Sequence, residues 1–221
     1  MIISFEGLDC SGKKTFSTML SEEIGFTRLE FPVLSPKFKS TEMLTQHLKG
    51  NKKVKLQNVI SAFALNRRET LEEVNFYDDD EVDYIFDRFS LSNVIYNAPK
   101  KGIDKWLYNI VHLERIVNMN PVVDLTFLLN PTLEEVYERL SNKTTRDNNE
   151  NDYELLENCY NFMNNELKSN KIVHDYLHNF TKRLVYVSTT TIEDTYEKIL
   201  SYYRYYKNNI KEGSFTNIEF I

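Results

Sequence analysis

An α/β fold, with five parallel strands layered between helices, is predicted by three observations. Apolar, β-rich runs alternate with helical patterns from one end of the chain to the other, as crossover connections of a parallel sheet require. The first such run enters a glycine-containing turn that opens directly into a helix. With 221 residues, the chain is long enough to bury a sizeable core as one domain.

The elements follow in order. A strand is expected over residues 2–6, then a turn that contains Gly7 and Gly12. A helix over 16–24 carries Phe16, Met19, Leu20 and Ile24 on one stripe and stops at Gly25. The remaining strands are expected at 27–31, 82–87, 123–130 and 184–187. Helices are expected near 38–49, 54–76, 89–97, 103–119, 131–141, 151–179 and 191–206. Residues 141–152 are wholly polar and should form a short mobile lid between two helices. The domain is expected to span 1–206, and the extension at 207–221 suits an added strand, a docking segment or a frayed end equally.

A net charge of −6 argues against broad nucleic-acid binding, which depends on clustered Lys and Arg. Two cysteines, Cys10 and Cys159, make no disulfide framework. The start lacks a basic leader, and no run is long and apolar enough to span a bilayer. A soluble protein of a reducing compartment is expected. Frequent Asn, Lys, Tyr and Ile fit an A/T-rich coding genome, such as a virus's.

The chemistry concentrates in the first turn. Gly7, four residues, Gly12 and Lys13 make most of a phosphate-binding loop, whose inward N–H groups and following helix dipole hold an anion. The pattern next demands Ser or Thr, to coordinate magnesium, but Lys14 stands there and Thr15 comes one place late. Asp87 and Arg88 close the third strand, at the sheet edge where open α/β sheets bind ligands. Phe63 and Arg67 share a helix face and could hold a flat heterocycle, with Asn66 beside them. His174 and His178 have the spacing of a helical metal pair but no third ligand, and the acidic run 78–81 reads as a solvated turn.

Phe5-Glu-Gly-Leu-Asp9, Ser11-Gly-Lys13, Phe31-Pro32, Phe63-Ala-Leu-Asn-Arg67, Asp87-Arg88-Phe89-Ser90-Leu91-Ser92 and residues 121–131 together resemble the thymidylate kinases, over about 1–206. The resemblance implies a three-layer P-loop NTPase fold and transfer of the γ-phosphate of ATP to dTMP, with magnesium, in a cytoplasmic homodimer. A virus would place it in the host cytoplasm. It also implies residue roles. Gly7, Leu8, Asp9, Cys10, Ser11, Gly12, Lys13, Lys14 and Thr15 would surround the ATP phosphates, and Asp87 and Thr15 would organise the metal. Phe63 would stack on thymine, Arg67 would bond a ring carbonyl, and Phe31 would pack beside them. Arg88 would grip the acceptor phosphate, Asp9 would lie near it and the sugar 3′-hydroxyl, and Tyr96 would stand where a ribose 2′-hydroxyl would protrude. Lys13, Asp9, Asp87, Arg88 and the lid residue Arg146, with Lys143 as second candidate, would carry the transfer.

The departures from the family pattern are Lys14, Cys10, Phe89 and Asn93. Two other readings stay open: a deoxynucleoside kinase of the same fold, and a nucleotide-binding regulator in which Lys14 has abolished turnover.

Overall fold

The computed structural model describes residues 1–51, 54–78, 81–100, 103–209 and 217–221. Its centre is a wholly parallel sheet of β1 (Ile2–Gly7), β2 (Thr27–Glu30), β3 (Tyr84–Asp87), β4 (Leu125–Leu129), β5 (Arg183–Val187) and β6 (Asn217–Phe220), ordered β2-β3-β1-β4-β5-β6. Six strands replace the expected five because the C-terminal residues pair with β5. Arg183 of β5 bonds Glu219, and Tyr186 stacks on Phe220 with ring centroids 5.2 Å apart. The alternation in the tail therefore belongs to an added strand.

β1, β3 and β4 read as continuous apolar runs because both faces of a parallel sheet are covered; every residue of β3 and β4 is buried. One face packs α1 (Lys13–Ile24) and α10 (Ile192–Asn209) through Phe16, Leu20, Ile199, Tyr202 and Tyr203. As expected, Gly25 ends α1 in the left-handed region at φ 76°, its N–H bonding the Ser21 carbonyl at 2.9 Å. The other face carries α3 (Leu56–Glu73), α4 (Ser90–Asn97), α5 (Ile103–Val111), α6 (Leu133–Ser141) and α7 (Tyr153–Asn161). The helical run expected at 151–179 is interrupted: π-helical turns follow α7 and lead into α8 (Leu167–Ser169), then Asn170 starts α9 (Lys171–Leu177) by accepting the N–H of Ile172. α5 likewise continues as a π-helical segment, His112–Val117.

β1 pairs with β3 on one side and β4 on the other, so chain connections depart in opposite directions from its carboxyl end. A crevice opens at such a point. Among the described residues no helix is long and apolar enough to cross a membrane. Residues 79 and 80 of the acidic run, and 210–216 of the extension, lie outside the described residues.

Candidate active site

The turn after β1 is shaped by two glycines that no other residue could replace without strain. Gly7 has φ +133°, and a Cβ there would lie 2.4 Å from the Leu129 carbonyl oxygen; Gly12, at φ +98°, would press a Cβ to 2.9 Å from the Phe16 ring. The loop closes on its own lysine. Lys13, 5% exposed, donates to the carbonyls of Gly7 at 3.1 Å and Leu8, and to Ser11 Oγ at 3.4 Å. Burial, then the nearby Arg88 charge, push its pKa down to about 8 against the pull of Asp9.

The loop lines a cavity of about 510 Å³ that runs past Asp87 and Arg88 to Thr189, Thr190 and Thr191 after β5. Buried Thr189 Oγ1 has no hydrogen-bond partner, so this wall offers an unused polar atom. A second, smaller cavity of about 120 Å³ lies under α3 and α4, between Phe31, Phe63, Arg67, Tyr96 and His47. The two meet at Asp9 and Arg88, which line both.

That junction is tightly bonded. Arg88, at φ 65°, donates to Asp9 Oδ1; Tyr96 donates its hydroxyl to Asp9 Oδ2 at 2.7 Å and accepts the Asp9 N–H at 2.9 Å. Burial alone would raise the Asp9 carboxyl, but the Arg88 and Lys13 charges bring it below the usual range. Burial, then the Asp9 charge, raise the Tyr96 phenol well above its ordinary value, so it stays a neutral donor. Beneath them Glu6, fully buried, accepts the Phe89 N–H at 2.9 Å and the Ser92 hydroxyl, which fixes the turn that aims Arg88. Burial raises the Glu6 carboxyl above its ordinary value.

The acceptor-side cavity is framed by a second buried network. Arg67 gives Nε (3.1 Å) and Nη2 to Glu114, which also accepts Asn93 Nδ2 at 2.8 Å and Asn120 Nδ2 at 2.8 Å. Arg67 lines the cavity with the donors of its fork that Glu114 does not take up. Phe63 meets His47 edge-on at 6.1 Å and lines the same space, as does Phe31, which packs edge-on against Phe86 and Phe89. Asn66 does not join them: fully buried, it bonds both the N–H and carbonyl of Val33 and so holds the loop after Phe31 and Pro32.

The lid residues divide between the cavities. Asp147 and Asn149 line the smaller one, Lys143 and Glu150 the larger. The Asn148 N–H bonds the Leu48 carbonyl at 3.0 Å, docking the lid on α2 (Thr41–Leu48). Arg146 is not brought to the phosphate loop. It lines a separate depression with Thr45 and Lys49, and its Nη1 donates to Tyr153 at 3.2 Å. The cations that do reach the loop are Lys143, paired with Glu150 at 2.5 Å, and Arg139, whose Nη1 donates to the Cys10 carbonyl at 3.2 Å. Arg139 carries no motif in sequence, and only its place on α6 reveals it.

Asp87 and Thr15, the expected metal residues, both line the larger cavity. Asp87 Oδ2 is held by Arg28 Nη2 at 2.5 Å, while Thr15 is exposed and Lys14 takes the place of the expected hydroxyl. Of the helical histidine pair, His174 Nε2 meets the Leu167 carbonyl at 2.9 Å and His178 Nε2 meets Asn179 Nδ2 at 3.2 Å. Arg28, a lone basic residue on β2, gave no signal in sequence.

A family model described as thymidylate kinase matches residues 5–184. A protein of Invertebrate iridescent virus 6 that carries a provisional thymidylate kinase name is 27% identical over 107 residues, 47% of this chain. The match spans 50% of that relative, so the chain covers about half the length of the curated protein it resembles. Among solved structures, the thymidylate kinase of Candida albicans superposes with a TM-score of 0.65 at 21% identity, covering 96% of this chain and 95% of that one. The enzyme of Ehrlichia chaffeensis gives 0.61 at 20% identity, covering 92% and 98%. At these identities the two structures establish the fold.

Proposed function

The chain belongs to the thymidylate kinase family, and on that premise we propose that it transfers the γ-phosphoryl group of ATP to dTMP, giving ADP and dTDP. The observation that carries this reading is the shared wall: Asp9 and Arg88 line both cavities, so a donor in one and an acceptor in the other meet at one guanidinium. ATP occupies the larger cavity, its phosphates against the loop from Gly7 to Thr15 and Lys13, its base toward Thr189, Thr190 and Thr191. dTMP occupies the smaller one, thymine on Phe63 with Phe31 at its edge and Arg67 Nη1 on a ring carbonyl. Tyr96 faces the deoxyribose.

An oxygen of the dTMP phosphate attacks the γ-phosphorus as the bond to the β-phosphate bridging oxygen breaks, and the electron pair leaves with ADP. Such transfer depends on alignment and on neutralising spread negative charge. Arg88 turns from Asp9 to the acceptor phosphate, a fork-shaped donor set replacing one carboxylate by another anion. Lys13 releases the loop carbonyls for the donor phosphates, and Asp87 keeps Arg28 at the edge of the cavity. Arg139 and Lys143, rather than Arg146, bring positive charge from the lid side. Thymidylate kinases as a family use ATP with magnesium; among the described residues no cluster of three or more His, Cys, Asp or Glu would hold the ion without the nucleotide's phosphates.

We take residues 1–206 as one kinase domain with a lid at 141–152, acting in the cytoplasm. A homodimer is supported by the exposed Tyr108, Ile116, Val117 and Met119 on α5 and the segment after it. α4 is buried within the subunit and offers no contact face.

The test is a panel of nucleoside monophosphates with ATP, reading ADP release. dTMP should be the best acceptor and thymidine inert; thymidine outrunning dTMP would establish the deoxynucleoside kinase instead. Arg88 at the junction favours the monophosphate, since a nucleoside gives it no anion to hold. Saturable ATP binding without ADP release would establish the regulator.

A further inference from the structure

The corner of the ATP cavity where a phosphate-loop kinase would keep its divalent ion is occupied by protein cations. Lys14 stands in the first turn of α1, its side chain 75% exposed and its Nζ 3.5 Å from Glu30. Arg28 of β2 stands behind this corner, against the two carboxylates, Glu30 and Asp87, that line it. Its Nε donates to Ser17 Oγ at 2.8 Å, and its Nη2 donates to Glu30 at 3.2 Å and to Asp87 at 2.5 Å. Both carboxylates that a metal could use thus already face a cation, and the hydroxyl that should complete a metal's coordination has become an ammonium. Thr15, one residue on, points about 100° further round the helix. A divalent ion brought there would meet the repulsion of two like charges, and the only hydroxyl this part of the loop still offers it is that of the exposed Thr15.

Building on the reading of this cavity as an ATP site, we infer that Lys14 and Arg28 supply the positive charge that magnesium brings elsewhere, so that metal-free ATP binds this protein about as well as its magnesium complex. The two cations divide the work by their surroundings. Arg28 is fixed from three sides and sets a permanent charge at the edge of β2 and β3. Lys14 is held only by an exposed pair with Glu30, a contact that contributes little in water and yields readily to a phosphate. The α1 dipole points its positive end to the same spot and adds to both.

The experiment is calorimetric titration of the full chain with ATP in excess EDTA and, separately, in excess magnesium, with dTMP titrated in EDTA as a control for an intact fold. The wild type should bind ATP with Kd values within about threefold of each other in the two buffers. Lys14→Gln should weaken binding about tenfold in EDTA and less in magnesium. Lys14→Thr, which restores the hydroxyl, should bind at least about tenfold more tightly with magnesium than without. Wild-type binding that needs magnesium, or a Lys14→Gln loss equal in both buffers, overturns the inference while leaving the ATP site standing. Retained dTMP binding with no ATP bound in either buffer overturns the ATP site and the inference together.

Discussion

The two cavities that meet at Arg88 are built in opposite ways. Around the smaller one the charges are buried and fully paired: Arg67 and Glu114 have side chains 4% and 0% exposed and share their bonds with Asn93 and Asn120. Around the larger one buried Lys13, Asp87 and Glu150 are joined by charges that sit in or near water, Lys14 and Glu30 exposed by 75% and 50% and Lys143 by 44%. A fixed frame suits a ligand recognised by shape, because every group is placed before the ligand arrives. A loose set of charges suits a chain of phosphates, whose charge is large and whose conformation varies. Discrimination and charge handling are thus assigned to separate halves of one crevice.

The variant with the largest expected effect tests the junction itself. Arg88→Ala should lower kcat/KM for dTMP about a thousandfold, because it removes the one donor group common to both halves. A loss confined to KM would show that Arg88 serves only the acceptor side. Next, Glu114→Ala should destabilise the fold by about 3 kcal/mol or more, seen as a lower melting temperature, since Arg67 would be left buried without its counter-charge. A neutral result would remove the contrast between the two halves.

A smaller effect follows from Lys13, whose pKa of about 8 in the free protein lies far below the ordinary lysine value. Bound phosphate favours the ammonium, so above pH 8 binding must take up a proton and weakens as pH rises. ATP affinity should fall by up to about tenfold between pH 7 and 9 while dTMP affinity changes less. The stability contribution has the opposite sign. A lysine depressed on folding is protonated more in the unfolded chain between pH 8 and 10.5, so this group favours folding increasingly across that window. The smallest effect is expected at Arg146→Ala, which should leave turnover within about twofold. A large loss of turnover there would show that the lid rearranges to bring Arg146 onto the phosphates.

Much of this arrangement is legible in the sequence. Gly7, Gly12 and Lys13 mark the loop because only glycine fits so close to a neighbouring strand and ring, and Asp87-Arg88 marks the sheet edge because it ends an apolar run. Phe63 and Arg67 are joined by simple helical spacing. What escaped has no spacing to betray it. Arg28 and Arg139 are lone basic residues on a strand and a helix, and Glu114 reads as an ordinary surface acid until tertiary packing buries it. The polar lid has no periodicity to place its cations, so Arg146 ranks ahead of Lys143 in sequence, whereas the structure sets Lys143 and not Arg146 on the wall of the larger cavity. The sixth strand stands in sequence as an option beside a docking segment or a frayed end because a short alternation does not say what it pairs with.

Asp9 has one further consequence. By sitting on the Arg88 guanidinium when no nucleotide is present, its carboxylate works as a built-in dummy ligand. Sulfate or free phosphate drifting in from the cell must evict it with nothing to offer but charge. On the proposed reading a nucleotide arrives with its base seated on Phe63 and can spend that grip on the exchange, which would leave the site deaf to the commonest anions around it.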